Sequence, residues 1–242
     1  MQPQRRQQYL DAIGIDLWVP RAAAPAAAPA AVPPAAPAAP AAPAAADTVA
    51  RWEALRTEVL SCTRCPLHLT RTQGVLGVGP RRCDWLVIGE APGAEEDRRG
   101  EPFVGAAGQL LDAMLRAIGL DRASNVYIAN VLKSRPPGNR DPKPEEVSAC
   151  LPYLTRQIEL LQPKIMLAVG RIAAQNLLAT DAPLGRLRGQ VHRFGATPLV
   201  VTYHPAYLLR TPADKRKAWE DLKFARTVYQ QLQAAATDGH RP

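Results

Sequence analysis

Several things are scarce or missing in this 242-residue chain. No stretch of 18 residues carries the bulky apolar side chains of a membrane span. The amino terminus, MQPQRRQQYLDAIGIDLWVPR, lacks the apolar core of a secretory signal. A cytoplasmic location follows as the expectation, and there the four cysteines are poor candidates for structural disulfides. Neither G-x-G-x-x-G nor G-x-x-x-x-G-K-[ST] occurs, which argues against the common nucleotide-binding folds. No internal repeat is present. Residues 22–46 contain no large side chain at all, only alanine, proline and one valine. Proline every few residues forbids a continuous helix there, and nothing in the segment can build a core. It reads as a semi-rigid linker between an N-terminal arm, 1–21, and a domain over 47–236, with 237–242 as a tail. The arm ends in an apolar tip, Ile13, Ile15, Leu17 and Trp18. It suits either docking to a protein partner or packing back on the domain.

What is present points to an α/β domain that meets a polyanion. Thirty basic side chains against 22 acidic give a net charge of +8, which favours nucleic acid. The spacing of Trp52, Leu55 and Val59 predicts a helix over 47–61 with Asp47 as N-cap. Strands are predicted in DWLVIGE, NVYIANVL, KIMLAVG and TPLVVTYHP. Helices are predicted in AAGQLLDAMLRAIG, in PEEVSACLPYLTRQIELL with a kink at Pro152, in RIAAQNLL and in the long C-terminal segment. This alternation implies a three-layer αβα sandwich around a mainly parallel, four-stranded sheet. Ligands bind such sheets at the carboxyl ends of the strands.

Three polar motifs fall at those ends. The first is GEAPGAEEDRRGEPFVG, Gly89 to Gly105, a glycine-rich loop whose Glu90, Glu95, Glu96 and Asp97 would repel a phosphate. Its Phe103 suits a stacking platform, with core packing as the plain alternative. The second is Asn130 at the end of VYIAN, whose buried amide needs partners and can read a nucleobase edge. The third is His204 in TYHPAYLLR, placed to donate a proton or a hydrogen bond, or simply to cap the turn. Beyond it, Tyr207, Leu208 and Leu209 beside Arg210 combine apolar side chains with a cation, as a DNA wedge requires. Cys62 and Cys65 form a C-x-x-C that, with Cys83 and Cys150, suits zinc or an iron–sulfur cluster.

Together, GEAPGAEEDRRGEPFVGAAGQLL, NVLKSRPPGNRDPKPEE and HPAYLLRTPADKRKAWEDL resemble the family 4 uracil-DNA glycosylases, the iron–sulfur members of the uracil glycosylase superfamily. The resemblance spans roughly Cys62 to Leu222. It implies a base-excision repair enzyme that flips uracil out of DNA and hydrolyses its N-glycosidic bond, leaving an abasic site. It implies that Phe103 and Asn130 hold the uracil, that Glu90, Glu96 and His204 carry the chemistry, and that Tyr207, Leu208, Leu209 and Arg210 meet the DNA. The Glu96 region would also border the C5 side of uracil, where a thymine methyl must be excluded. The implied cofactor is a [4Fe–4S] cluster on Cys62, Cys65 and Cys150. The chain departs from the family at the fourth ligand, where it has Ser134; Cys83 is the alternative. Uracil-containing DNA is the expected partner, with the protein acting as a monomer. A non-catalytic nucleic-acid binder on the same fold and an adaptor working through the N-terminal arm are the competing readings. The first has no use for Glu90, Phe103, Asn130 and His204 together.

Overall fold

A computed structural model describes residues 45–238; the N-terminal arm, most of the Ala/Pro linker and the last four residues lie outside them. The first helix, α1 (Ala45–Leu60), begins two residues before the expected start. Asp47 is therefore not its cap but an acidic residue in its first turn, where its charge suits the helix dipole. Trp52, Leu55 and Val59 point inward from it as their spacing predicts. The chain then alternates β1 (Trp85–Gly89), α2 (Ala94–Arg99), α3 (Ala106–Ala117), β2 (Val126–Asn130), α4 (Pro144–Leu161), β3 (Ile165–Val169), α5 (Arg171–Leu178) and α6 (Leu184–Leu187). It ends with β4 (His192–Phe194), β5 (Thr197–Thr202), α7 (Pro205–Arg210) and α8 (Lys215–Asp238).

The sheet order is β2-β1-β3-β5-β4, parallel except for β4, which runs antiparallel to β5. All four predicted strands are present. The fifth, β4, is three residues long and has no buried position, so no apolar run announces it. It forms because Gly195, at φ 57°, permits the tight turn that folds His192–Phe194 back on Thr197.

Every residue of β1, β2 and β3 is buried, as a sheet covered on both faces requires. Alternate residues feed two separate cores. Leu86, Ile88, Tyr127, Ala129, Met166 and Ala168 pack with Trp52, Leu55, Leu154 and Leu177 on one side. Trp85, Val87, Val126, Ile128, Ile165 and Leu167 pack with Leu111, Leu115, Leu222 and Ala225 on the other. This is the αβα sandwich, and it leaves the carboxyl ends of the four parallel strands, in the order β2, β1, β3 and β5, at one rim. The helix α4 runs for 18 residues with Pro152 inside it.

The glycine-rich segment after β1 is not one open loop, because it contains α2. Gly93 takes the N-cap and the Glu96 side chain returns to its N–H at 3.1 Å. Glu95, Glu96 and Asp97 in the first turn and Arg98 and Arg99 in the last both complement the dipole. Gly100, at φ 78°, ends the helix. Among the described residues no helix is long and apolar enough to cross a membrane.

Candidate functional site

A cleft of about 400 Å³ opens at the carboxyl ends of the strands, lined among others by Glu90, Glu96, Phe103, Asn130, Asp141, His204, Tyr207 and Arg210. A larger hollow of about 670 Å³ lies near Cys83, Trp85, Leu161 and Tyr229, at the amino end of β1. The smaller one gathers the polar residues singled out from the sequence and lies where parallel sheets bind ligands.

Asn130 is the last residue of β2, in register with Gly89 at the end of β1. The asparagine is buried, and its Oδ1 has no hydrogen-bond partner. Buried polar atoms are normally paired, so this unpartnered oxygen stands out on a residue that lines the cleft. Gly89 is obligatory beside it. A Cβ there would lie 2.4 Å from Asn130 Oδ1 and 2.5 Å from the Phe103 ring. The chain thus removes a side chain to let the amide and the ring approach.

Phe103 packs in the core and also reaches the cleft. It is 6 % exposed and belongs to a core cluster, yet its ring borders the cleft and stands 5.6 Å from the His204 ring. Its backbone is left-handed, at φ 56°, an uncommon state for a large side chain. Arg122 holds it there: Nη2 donates to Phe103 O at 2.8 Å, Nη1 to Pro102 O, and Nε to Asp112 at 2.7 Å. No local pattern marks this arginine, because it lies 19 residues further along the chain.

His204 is the N-cap of α7, and its Nδ1 accepts the Ala206 N–H at 3.1 Å. The cap residue is thus also one that lines the cleft. With Nδ1 used as an acceptor, a neutral ring carries its proton on Nε2. Burial and the Arg210 charge push the imidazole down to about 4, with Glu96 opposing, so the ring is neutral at physiological pH. Glu90 moves the other way. Burial, and then the Asp141 carboxylate, raise it to about 7 against the pull of Arg171.

The acidic cluster divides by role. Glu96 accepts backbone N–H groups from Gly93, Val104 and Gly105, so its carboxylate ties α2 to the segment carrying Phe103. Asp97 is buried and accepts from the Thr72 and Gln73 amides. Glu95 pairs with Arg98 at the surface. Glu90 and Glu96 line the cleft, and Glu95 and Asp97 do not.

The expected wedge is also divided. Leu208 is 1 % exposed and packs in the core, so it is not available to enter a base stack. A six-residue helix turns one of two successive leucines inward, and the other, Leu209, is 44 % exposed. Tyr207 stacks on Tyr203 at 5.3 Å and donates its hydroxyl to Asp214 at 2.6 Å. Arg210 is exposed at the rim.

The cysteines separate into two places. Cys150 is buried, and burial together with the nearby Cys65 and Cys62 raises its thiol. Cys83 instead hydrogen-bonds Trp85 O at 3.3 Å and lines the far hollow with Leu161 and Gln162. Leu161 lies eleven residues beyond Cys150 in α4, a separation of about 16 Å at 1.5 Å per residue. Cys83 is therefore not the fourth partner of Cys62, Cys65 and Cys150. At the fourth position, Ser134 Oγ accepts a hydrogen bond from Arg71 Nη1 at 2.7 Å. The same guanidinium holds Leu60 O and Cys62 O at 2.8 and 3.0 Å, so it bridges Ser134 to the C-x-x-C segment. Among the described residues no group of three or more His, Cys, Asp or Glu closes on a single ion position. An iron–sulfur cube asks for four thiolates, and the Arg71-bound Ser134 is not one.

Residues 76–223 match the family model described as the uracil DNA glycosylase superfamily. The chain is 47 % identical over 174 residues to a type-4 uracil-DNA glycosylase of Archaeoglobus fulgidus, an alignment covering 69 % of this chain and 87 % of that protein. It is 41 % identical over 179 residues to the type-4 enzyme of Thermotoga maritima, covering 72 % and 93 %. A type-5 uracil-DNA glycosylase of Thermus thermophilus is more distant, at 33 % over 153 residues, covering 54 % and 68 %. The chain belongs to the uracil-DNA glycosylase superfamily, and its αβα fold agrees with that. Its relatives at 40–47 % identity are type-4 uracil-DNA glycosylases, and it belongs with them.

Proposed function

We propose that the cleft receives a uracil flipped out of DNA and that the protein hydrolyses its N-glycosidic bond, leaving an abasic site. The function as a DNA repair glycosylase rests on its type-4 relatives. The observation that carries the site reading is the unpartnered Asn130 Oδ1 beside Phe103 and His204. Extruding the nucleotide costs a few kcal/mol. The exposed Leu209 fills the vacated stack, while Arg210 and the basic surface hold phosphates. Phe103 stacks on the base. Asn130 accepts N3–H and donates to O4. Cytosine reverses both groups and leaves the amide unpaired, so it is rejected.

Bond cleavage builds negative charge on the departing uracil and positive charge on the sugar. The neutral His204 donates Nε2–H to O2 as the anion develops, which is the logic of an oxyanion hole. Glu90, as a carboxylate, supports the cationic sugar or orients the attacking water. Glu96 acts at one remove by fixing the loop that carries Phe103.

Cys62, Cys65 and Cys150 are the residues that would hold an iron–sulfur cluster, with Ser134 tied to Arg71 at the fourth corner. Its role would be structural, joining the end of α1 to α4, because glycosidic hydrolysis transfers no electron.

The test is an end-labelled oligonucleotide with a single uracil, cleaved with alkali after incubation. The parent protein cuts at uracil and not at cytosine or thymine. Asn130→Asp loses uracil excision, since a carboxylate cannot donate to O4. A folded Asn130→Asp protein with parental excision would remove Asn130 from base recognition.

A further inference from the structure

Lys133 is the third residue past β2, and it is 1 % exposed. The reaction outlined above has no use for it. A buried ammonium costs several kcal/mol unless it is fully hydrogen-bonded, so its partners indicate what it does. Its Nζ donates to Asn130 O at 2.7 Å, to Gln157 Oε1 at 2.5 Å and to Leu76 O at 3.5 Å. Three donors meet three acceptors.

The sheet explains why Asn130 O needs this partner. The strand β2 is at the edge of the sheet. On its inner side the ladder continues past the last residue, with Val131 N–H on Gly89 O at 2.9 Å and Leu132 N–H on Glu90 O at 3.0 Å. On its outer side Ile128 exchanges both backbone bonds with Val78, and the next backbone bond from that segment is Val75 N–H on Lys133 O at 2.8 Å, which passes Asn130 by. Two residues on, Asn130 presents its carbonyl to the same outer side, where the ladder offers no partner. The Lys133 ammonium takes the place that the next strand's N–H would occupy. Gln157, itself buried, fixes the ammonium from α4 and donates to Leu76 O at 3.0 Å. An apolar chain of equal length would fill the same space and leave the Asn130 carbonyl buried without a partner.

We infer that Lys133 is a positioning residue for base recognition: by pinning the Asn130 main chain from beyond the sheet edge, it holds the Asn130 carboxamide in register with the flipped uracil. This rests on the reading of Asn130 given above. Misplacing a recognition group by about 1 Å costs on the order of 10²-fold in rate.

The experiment is a double-mutant cycle between Lys133→Met and Asn130→Ala, read as single-turnover excision well below the melting temperature, with thermal unfolding followed alongside. Lys133→Met alone is expected to slow uracil excision about 10–100-fold. In the Asn130→Ala background the same change should cost less than about twofold, because the group being positioned is gone. A general loss of stability would slow both backgrounds alike, so equal losses would overturn the proposal, as would parental excision by folded Lys133→Met. Should Lys133→Met not fold, Gln157→Leu removes the ammonium's second acceptor and enters the same cycle with the same two outcomes. Parental excision by Asn130→Ala would overturn the base-reading role, and the positioning role with it; a slow Asn130→Ala enzyme with additive losses would overturn the positioning role alone.

Discussion

Replacing Glu90 by Gln separates what this carboxylate does for the reaction from what it costs the fold. In the folded protein Glu90 keeps its proton up to about pH 7, against an ordinary value of 4.5, because burial and Asp141 disfavour its charge. Between those values the folded state binds more protons than the unfolded chain, so stability falls as pH rises through the window. The loss is complete above about pH 7 and absent below 4.5. At about 1.4 kcal/mol per tenfold shift the full cost is about 3.5 kcal/mol, and partial solvent screening at the cleft brings it to about 1–3 kcal/mol. Glutamine does not titrate. Glu90→Gln should therefore melt with the parent near pH 4.5 and roughly 2–12 °C above it at pH 8, at about 2–4 °C per kcal/mol. Excision should move oppositely. The parental single-turnover rate should rise with pH around a midpoint near 7 as the carboxylate forms, while Glu90→Gln loses that rise and falls about 10²–10⁴-fold. Differential scanning at the two pH values and quenched-flow excision on one substrate measure both halves. A melting difference that is the same at pH 4.5 and pH 8 would refute the stability argument. A Glu90→Gln rate equal to the parent's would refute the catalytic one.

The remaining expectations concern His204, the two leucines and the cysteines. His204→Ala should slow excision about 10²–10³-fold with little change in DNA affinity, since its hydrogen bond strengthens only as charge develops; a parental single-turnover rate would exclude it. Leu208→Ala should lower stability by about 2–5 kcal/mol, as core truncations do, whereas Leu209→Ala should leave the melting temperature unchanged and weaken binding to uracil-containing duplex. The reverse pattern in unfolding and binding curves would show the wedge to be misassigned. Protein purified anaerobically should carry iron and sulfide that fall with Cys62→Ala or Cys150→Ala and not with Cys83→Ala, and Ser134→Cys should give a more oxygen-resistant visible absorbance. A colourless, iron-free parent protein would remove the cluster.

Local patterns in the sequence determined much of this protein. Apolar runs of five or six residues at β1, β2, β3 and β5, separated by helices of 3.6-residue period, dictate a parallel sheet with two covered faces and put the loops after the strands at one rim. That Glu90, Asn130 and His204 meet at this rim was legible because each ends such a strand or lies within two residues of its end. What stayed hidden depends on neighbours distant in sequence or on one rotation along a helix. Period alone cannot say whether Leu208 or Leu209 faces out; packing of α7 against the core decides it. The edge strand β4 carries no apolar signal and exists only because β5 offers a free side to pair with. Glu96 and Asp97 read as open charges until the fold brings the Val104, Gly105 and Thr72 amides to them. Cys83 and Cys150 look equivalent as sequence, and only the length of α4 sets them at opposite ends of the sheet. The partners of Arg122 and Lys133, which hold Phe103 and Asn130 in place, are fixed by tertiary structure because a buried charge goes where folded backbone carbonyls converge.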